Sequence, residues 1–153
     1  MGRAADPESL RLLLRREHLA LEQMFSTLLA AVDADARVDY ARLWGEFDAR
    51  LQAHLRLEEE LILPAFEREH PRQAEHIRAE HQQIRKALLE LGVGVDLHLA
   101  RAGVIEHFVE LLRAHATGED LQLYAWAEEH LADPARSNVL DRVFSRLSHT
   151  PSP

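Results

Sequence analysis

The chain has 153 residues, 29% of them charged and 46% hydrophobic, which suits one globular domain with its own core. A formal charge of −8 argues against nucleic acid or an anionic membrane surface as the main partner. The absence of cysteine excludes disulfides, iron–sulfur clusters and thiolate zinc sites, whereas ten histidines is a large number for this length.

The N-terminal stretch MGRAADPESLRLLLRRE has scattered charges and no uninterrupted apolar core, so it does not read as a signal peptide. Asp6 stands where a myristoylation pattern wants serine or threonine, and no apolar run approaches a membrane span. A cytoplasmic protein is expected. Asp6 followed by Pro7 predicts a helix start, and apolar residues at Leu10, Leu13, Leu14, Leu21, Phe25 and Leu28 carry that first helix to about Asp33. A second helix is predicted over about 39–69, kinked at Pro64 and ending before Pro71. A third covers about 71–91 and stops at a Gly92-Val93-Gly94 loop. A fourth runs from near Asp96 to about 131, with a disturbance at Gly118. Asp133-Pro134 repeats the start signal and opens a short fifth helix over 134–147, followed by a disordered tail. The expected fold is all-α: one domain over 1–153, an up-down-up-down four-helix bundle (core about 7–131) with a short C-terminal fifth helix.

One phrase occurs twice. LQAHLRLEEELILP (51–64) and LRAHATGEDLQLY (112–124) each place a leucine three residues before a histidine and an acidic pair four and five residues after it. The helices before them carry REHLAL (16–21) and AEHQQI (79–84), each a Glu-His with an apolar residue three positions on. His18 and His54 are 36 residues apart, and His81 and His115 are 34 apart, so the chain reads as two copies of one hairpin. Residues four apart in a helix differ by about 40° around the axis and roughly 6 Å along it, so a His-x-x-x-Glu pair faces one way. Two such pairs and two lone histidines, all turned inward, form a metal-ligand set: His18, His54, Glu58, His81, His115 and Glu119. Four nitrogens and two carboxylates without sulfur suit iron, and manganese or zinc less distinctively. Glu58 and Glu119, on different helices, are placed to bridge two ions. Residues at the i+5 position, Glu59 and Asp120, turn about 140° away, toward solvent or another helix.

A lone His-x-x-x-Glu on a charged helix is usually a solvated pair worth roughly 0.2–0.5 kcal/mol. That reading fits His76 with Glu80, and surface or boundary positions for His107, His130 and His149. His18 with Glu22 has the spacing, but Arg85 stands at the equivalent place on the third helix. Whether Glu22, His76 or Asp120 joins the ligand set is left open by the spacing.

His18, HLRLEEELILP, EHQQI and HATGED, in that order, resemble the hemerythrin-like family, the HHE cation-binding domain, over about residues 10–131. The resemblance implies a helix bundle holding two iron ions in a non-haem di-iron centre. Its expected ligands are His18, His54, Glu58, His81, His115 and Glu119, the two glutamates bridging. Dioxygen, a similar small diatomic or peroxide is the implied ligand. One departure stands out: oxygen-carrying members have His-x-x-x-His on the third helix, and here Ile77 and Arg85 flank His81 at that spacing. His76 lies about 140° around the helix from His81 and does not fill the gap. Three functions compete. The first is a protein that binds or senses oxygen or iron. The second is an enzyme that activates oxygen or removes peroxide or nitric oxide. The third is a bundle whose histidines hold no metal, or only adventitious zinc. Oligomeric state is not encoded in any motif.

Overall fold

The computed structural model describes the backbone of residues 9–33, 37–96 and 102–148, and the side chains of 9–31, 41–92 and 104–147. Leucine, alanine, arginine and glutamate, which lose little rotamer freedom in a helix, make the described chain helical almost throughout. No strand occurs among the described residues. In chain order, α1 (Leu10–Asp33) is followed by α2 (Arg37–Leu57), a π-turn (Glu58–Ile62) and α3 (Leu63–Glu69). Then come α4 (Pro71–Asp96), α5 (Ala102–Glu119), a second π-turn (Asp120–Tyr124), α6 (Ala125–His130) and α7 (Ala135–Ser148).

Several boundaries differ from those the sequence suggested. The cap of α1 is Ser9, whose Oγ accepts from the Leu12 N–H at 3.2 Å; Asp6 and Pro7 lie outside the described residues. The kink expected at Pro64 is a π-turn over the preceding residues. It sets Pro64 in the first turn of α3, where a missing N–H costs least. No loop forms at 92–94, because α4 continues to Asp96. Gly92 serves packing instead: a Cβ there would meet the Trp44 ring at 3.1 Å. Asp96 therefore ends a helix rather than starting one, and the next described helix begins at Ala102. The disturbance expected at Gly118 falls just downstream, as the π-turn from Asp120. Asp133 does cap the last helix, its Oδ1 accepting from the Ser137 N–H at 3.0 Å. The expected disordered tail and His149 lie outside the described residues.

Two apolar clusters divide the interior. One gathers Leu10, Leu13 and Leu14 of α1 with Leu57, Leu63, Phe66, Ile77, Leu123, Tyr124 and, from α7, Val139 and Val143. The other gathers Leu21, Phe25 and Leu28 with Phe47, Leu51, Leu55, Ile84, Leu88, Leu91 and Phe108. Each fully buried leucine or phenylalanine contributes roughly 1.5–3 kcal/mol relative to exposure. On α1 the clusters end at Leu14 and resume at Leu21, and His18 falls between. On α4 they end at Ile77 and resume at Ile84, and His81 falls between. Oily packing above and below thus encloses a polar layer and excludes water from it.

Candidate metal centre

Among the described residues, six polar or charged ones have less than a tenth of their surface exposed: Glu17, His54, Glu58, His81, His115 and Glu119. Five of them are in the set expected from spacing, and the sixth, Glu17, is not. His18, the remaining expected member, is partly buried, its side chain 16% exposed. The structure brings all six expected residues together. Donor atoms of His18, His54, Glu58 and Glu119 lie within 4.8 Å of one another, and so do those of His81, His115 and Glu119. Glu119 belongs to both groups and joins them.

The contacts inside this layer do not close on themselves. His54 Nε2 lies 2.5 Å from Glu58 Oε1, and His115 Nε2 lies 2.8 Å from Glu119 Oε1. Yet both Glu58 oxygens, Glu119 Oε1 and both His115 ring nitrogens are buried without a hydrogen bond. His18 Nε2 and His54 Nε2 face each other at 3.0 Å. Burying a polar group unsatisfied costs about 1–3 kcal/mol, so a layer of such atoms in a well-packed core needs a further partner. Inward lone pairs of neutral imidazoles and carboxylates repel one another unless a cation stands among them. The donor set fits a metal: nitrogen and oxygen only, the Glu119 carboxylate shared between the two groups, and five of the six side chains buried.

Outward contacts point the same way. His54 Nδ1–H donates to Glu17 Oε1 at 2.8 Å. His81 Nδ1 faces Glu59 Oε1 at 3.5 Å, and His115 Nδ1 faces Glu80 Oε2 at 3.6 Å. A carboxylate behind the second ring nitrogen orients a ligating histidine and keeps its other lone pair inward. The repeated Glu-His dipeptides acquire a meaning here. Each histidine enters the centre, while the glutamate before it backs the histidine of the next helix in its own hairpin: Glu17 behind His54, Glu80 behind His115. Only the first is sealed. Arg146 of α7 donates to Glu17 Oε1 at 2.9 Å, whereas Glu80 is 24% exposed.

Charge regulation within the layer follows from burial. Glu58 is pushed up to about 7, first by loss of water and then by the neighbouring Glu119 charge. Burial also acts on Glu119, but the charge of the neighbouring His115 outweighs it and holds the carboxyl well below the usual range. Burial works against a charged His115; Glu119 outweighs it and lifts the imidazole to about 9. Burial lowers His18, and Glu119 only partly offsets this. Burial likewise opposes Glu17 ionisation, and His54 and Arg146 keep it ionised. The pocket thus holds several groups in protonation states that a bound cation would change.

The side chains whose membership spacing left open lie elsewhere. Glu22 is 45% exposed and accepts from Arg113 at 2.6 Å. His76 is 74% exposed beside Glu80 at 3.4 Å, and His107 and His130 are also exposed. Asp120 turns outward to Arg11 at 3.0 Å, because the second π-turn begins after Glu119 and leaves the His115-to-Glu119 turn α-helical. Glu59 turns to α4, where it pairs with Arg85 as well as facing His81. Ile77, where a further histidine was sought, is buried in the apolar cluster. Sequence reasoning missed Tyr124, fully buried with its hydroxyl 2.7 Å from His18 Nε2 and 3.2 Å from His54 Nε2. It closes the second repeated phrase, which was the available signal. A cavity of about 540 Å³ between α1 and α5 reaches His18, His54 and His115 past walls that include Phe25, Leu51 and Leu112.

No helix among the described residues is long and apolar enough to cross a membrane. No curated protein and no solved structure matches the chain significantly. The sequence profile of the hemerythrin HHE cation binding domain does match, over residues 10–127, which takes in all six clustered residues and stops short of α7. With most of its length matched, and with the histidine–glutamate layer that such a domain requires, this chain belongs to the hemerythrin HHE cation-binding family.

Proposed function

We propose that the buried layer holds two iron ions, one near His18 and His54 and one near His81 and His115, with Glu58 and Glu119 between them. The observation that carries this reading is the set of buried donor atoms, gathered within 4.8 Å in two groups that share Glu119, several of them without a hydrogen bond. We read the helices as an up-down-up-down bundle of one domain, working as a cytoplasmic protein that binds or senses oxygen or iron. A bound iron pair supplies one-electron chemistry and an affinity for dioxygen, a similar diatomic or peroxide. The chain's own residues do the rest. Glu17, Glu59 and Glu80 aim the imidazoles, and the apolar clusters keep water out. The cavity between α1 and α5 gives a small ligand its way in.

A second reading is an enzyme that activates oxygen or removes peroxide or nitric oxide. It is favoured by Ile77, which leaves the His81 side one nitrogen short, and by a cavity far larger than a diatomic needs, a water molecule taking about 30 Å³. Elemental analysis of protein purified without an affinity tag after iron-replete growth tests the common core. About two irons per chain are expected, and a content near zero refutes it. Exposing the reduced protein to oxygen then separates the readings. A spectral change reversed on removing oxygen marks a binding protein, whereas steady consumption of reductant or peroxide marks an enzyme.

A further inference from the structure

We propose that the phenol oxygen of Tyr124 is itself a metal donor on the His18–His54 side, which makes the two halves of the centre chemically unequal. This rests on the reading of the layer as a metal centre. Around an octahedral ion with bonds of roughly 2.1 Å, neighbouring donor atoms lie √2 times that distance apart, about 3.0 Å. His18 Nε2 and His54 Nε2 are 3.0 Å apart, and the Tyr124 oxygen lies 2.7 Å from the first and 3.2 Å from the second. These three atoms form a triangle of the size of one octahedral face. Glu58 Oε1 at 2.5 Å from His54 Nε2, and Glu119 Oε1 at 3.5 Å from His18 Nε2, scatter about the same edge length. The His18, His54, Glu58 and Glu119 donors all lie within 4.8 Å of one another, and the Tyr124 oxygen stands beside the two imidazoles of that group.

A plain hydrogen bond from the phenol to His18 accounts less well for the position. If His18 Nε2 gives its lone pair to a metal, it has none left to accept from Tyr124. The hydroxyl, on a residue with no exposed surface, then has the Glu58 carboxylate as its other neighbour, and where that carboxylate also gives its lone pairs to the metal, the ion is the partner left. On binding, the O–H bond breaks, the oxygen's electron pair goes to the metal and the proton leaves to solvent. No electrons change hands.

The internal repeat supplies the second observation. His115, Glu119 and Asp120 correspond to His54, Glu58 and Glu59, and at the same offset Tyr124 corresponds to Leu63. Leucine has no donor atom, and Ile77 has none either. The first ion therefore receives an anionic oxygen from the protein that the second does not.

The test uses metal-free full-length protein, given ferrous iron without oxygen and then oxidised with ferricyanide. A broad visible phenolate-to-iron charge-transfer band is expected, with tyrosinate ring vibrations in its resonance Raman spectrum. The chain has two tyrosines, Tyr40 and Tyr124, so Tyr40→Phe leaves Tyr124 alone. In that variant the band is expected to persist, and ring-deuterated tyrosine to shift its vibrations. In Tyr124→Phe the band disappears, and affinity for one of the two irons falls by about tenfold or more, at least what losing an outer partner costs. Iron bound by the wild type without the band, or a band lost in Tyr40→Phe, overturns the role of Tyr124 and leaves the metal centre standing. No iron bound by the wild type overturns both. The deuterium shift needs no change at Tyr124, so it decides the matter even if Tyr124→Phe does not fold.

Discussion

Replacing Glu17 by glutamine separates outer support from ligation. Glu17 is fully buried and takes three charge-assisted hydrogen bonds: Oε1 accepts from His54 at 2.8 Å and from Arg146 at 2.9 Å, and Oε2 accepts from Arg146 Nε at 3.4 Å. Glutamine keeps the shape and can leave an oxygen where both short bonds land, but it sets an amide N–H against Arg146 Nε and removes the negative charge. The bond to the second oxygen is lost and the two to the first are weakened, at about 1.5–3 kcal/mol for a bond to a charged group. Removing one member of a fully buried ion pair costs about 3–5 kcal/mol, but Arg146 is 22% exposed and water can replace part of its loss. Metal-free Glu17→Gln is therefore expected to lose about 2–3 kcal/mol, read by urea unfolding. His54 also loses the carboxylate charge behind its second ring nitrogen, which lowers metal affinity about 10–100-fold, or about 1.4–2.7 kcal/mol, read by chelator competition. Glu80→Gln is the control. At 3.6 Å from His115 and 24% exposed, Glu80 is worth under about 1 kcal/mol. Wild-type affinity in Glu17→Gln, or equal losses in the two variants, would refute this account of the repeated Glu-His.

Three further outcomes are expected. His81→Ala removes a fully buried imidazole and most of the metal beside it, while His76→Ala, at a 74% exposed position, leaves metal content unchanged; equal losses, measured by elemental analysis, would show that the wrong histidine was chosen. Glu119→Gln costs one or both ions. Asp120→Asn keeps them and changes stability by no more than about 1 kcal/mol, since it breaks only partly exposed pairs with Arg11 and Arg15; the reverse pattern would place Asp120 in the centre. In the metal-free protein Glu58, raised from 4.5 to about 7, and His115, raised from 6.5 to about 9, hold more protons folded than unfolded within those windows. Their contribution is present at lower pH and is lost as pH rises through each window, so thermal stability without metal should fall from pH 4.5 to 9. Metal binding releases the same protons, so chelator-measured affinity should rise over that range, and a flat profile would contradict the protonation states derived above.

The legible part of the centre was its period. His54 with Glu58 and His115 with Glu119 share a helix face because four residues complete about one turn, and Gly118 did not disturb this since the π-turn starts beyond Glu119. The helices themselves were legible from composition and from apolar spacing, as at Leu10, Leu13 and Leu14. Gly92 misled because glycine signals both a helix end and a close approach, and only the position of Trp44 tells which applies. Glu17 was visible as half of a repeated dipeptide, yet its role depends on a histidine 37 residues away.

Sequence alone determined which six histidines and glutamates share the inward helix faces, because residue type and helical period fix the direction of each side chain on its own helix. Tertiary structure decided everything that depends on two helices meeting. It turned Glu59 toward Arg85 and His81 and Asp120 toward Arg11, although both stand one residue past the histidine's face. It carried Arg146, in a helix beyond the matched domain, onto Glu17. It set the Tyr124 hydroxyl between His18 and His54, 106 and 70 residues away in the chain. Helical periodicity assigns a side chain to a direction, but its partner is whatever the packed neighbour presents there. That partner is set by how the apolar clusters on either side draw the helices together.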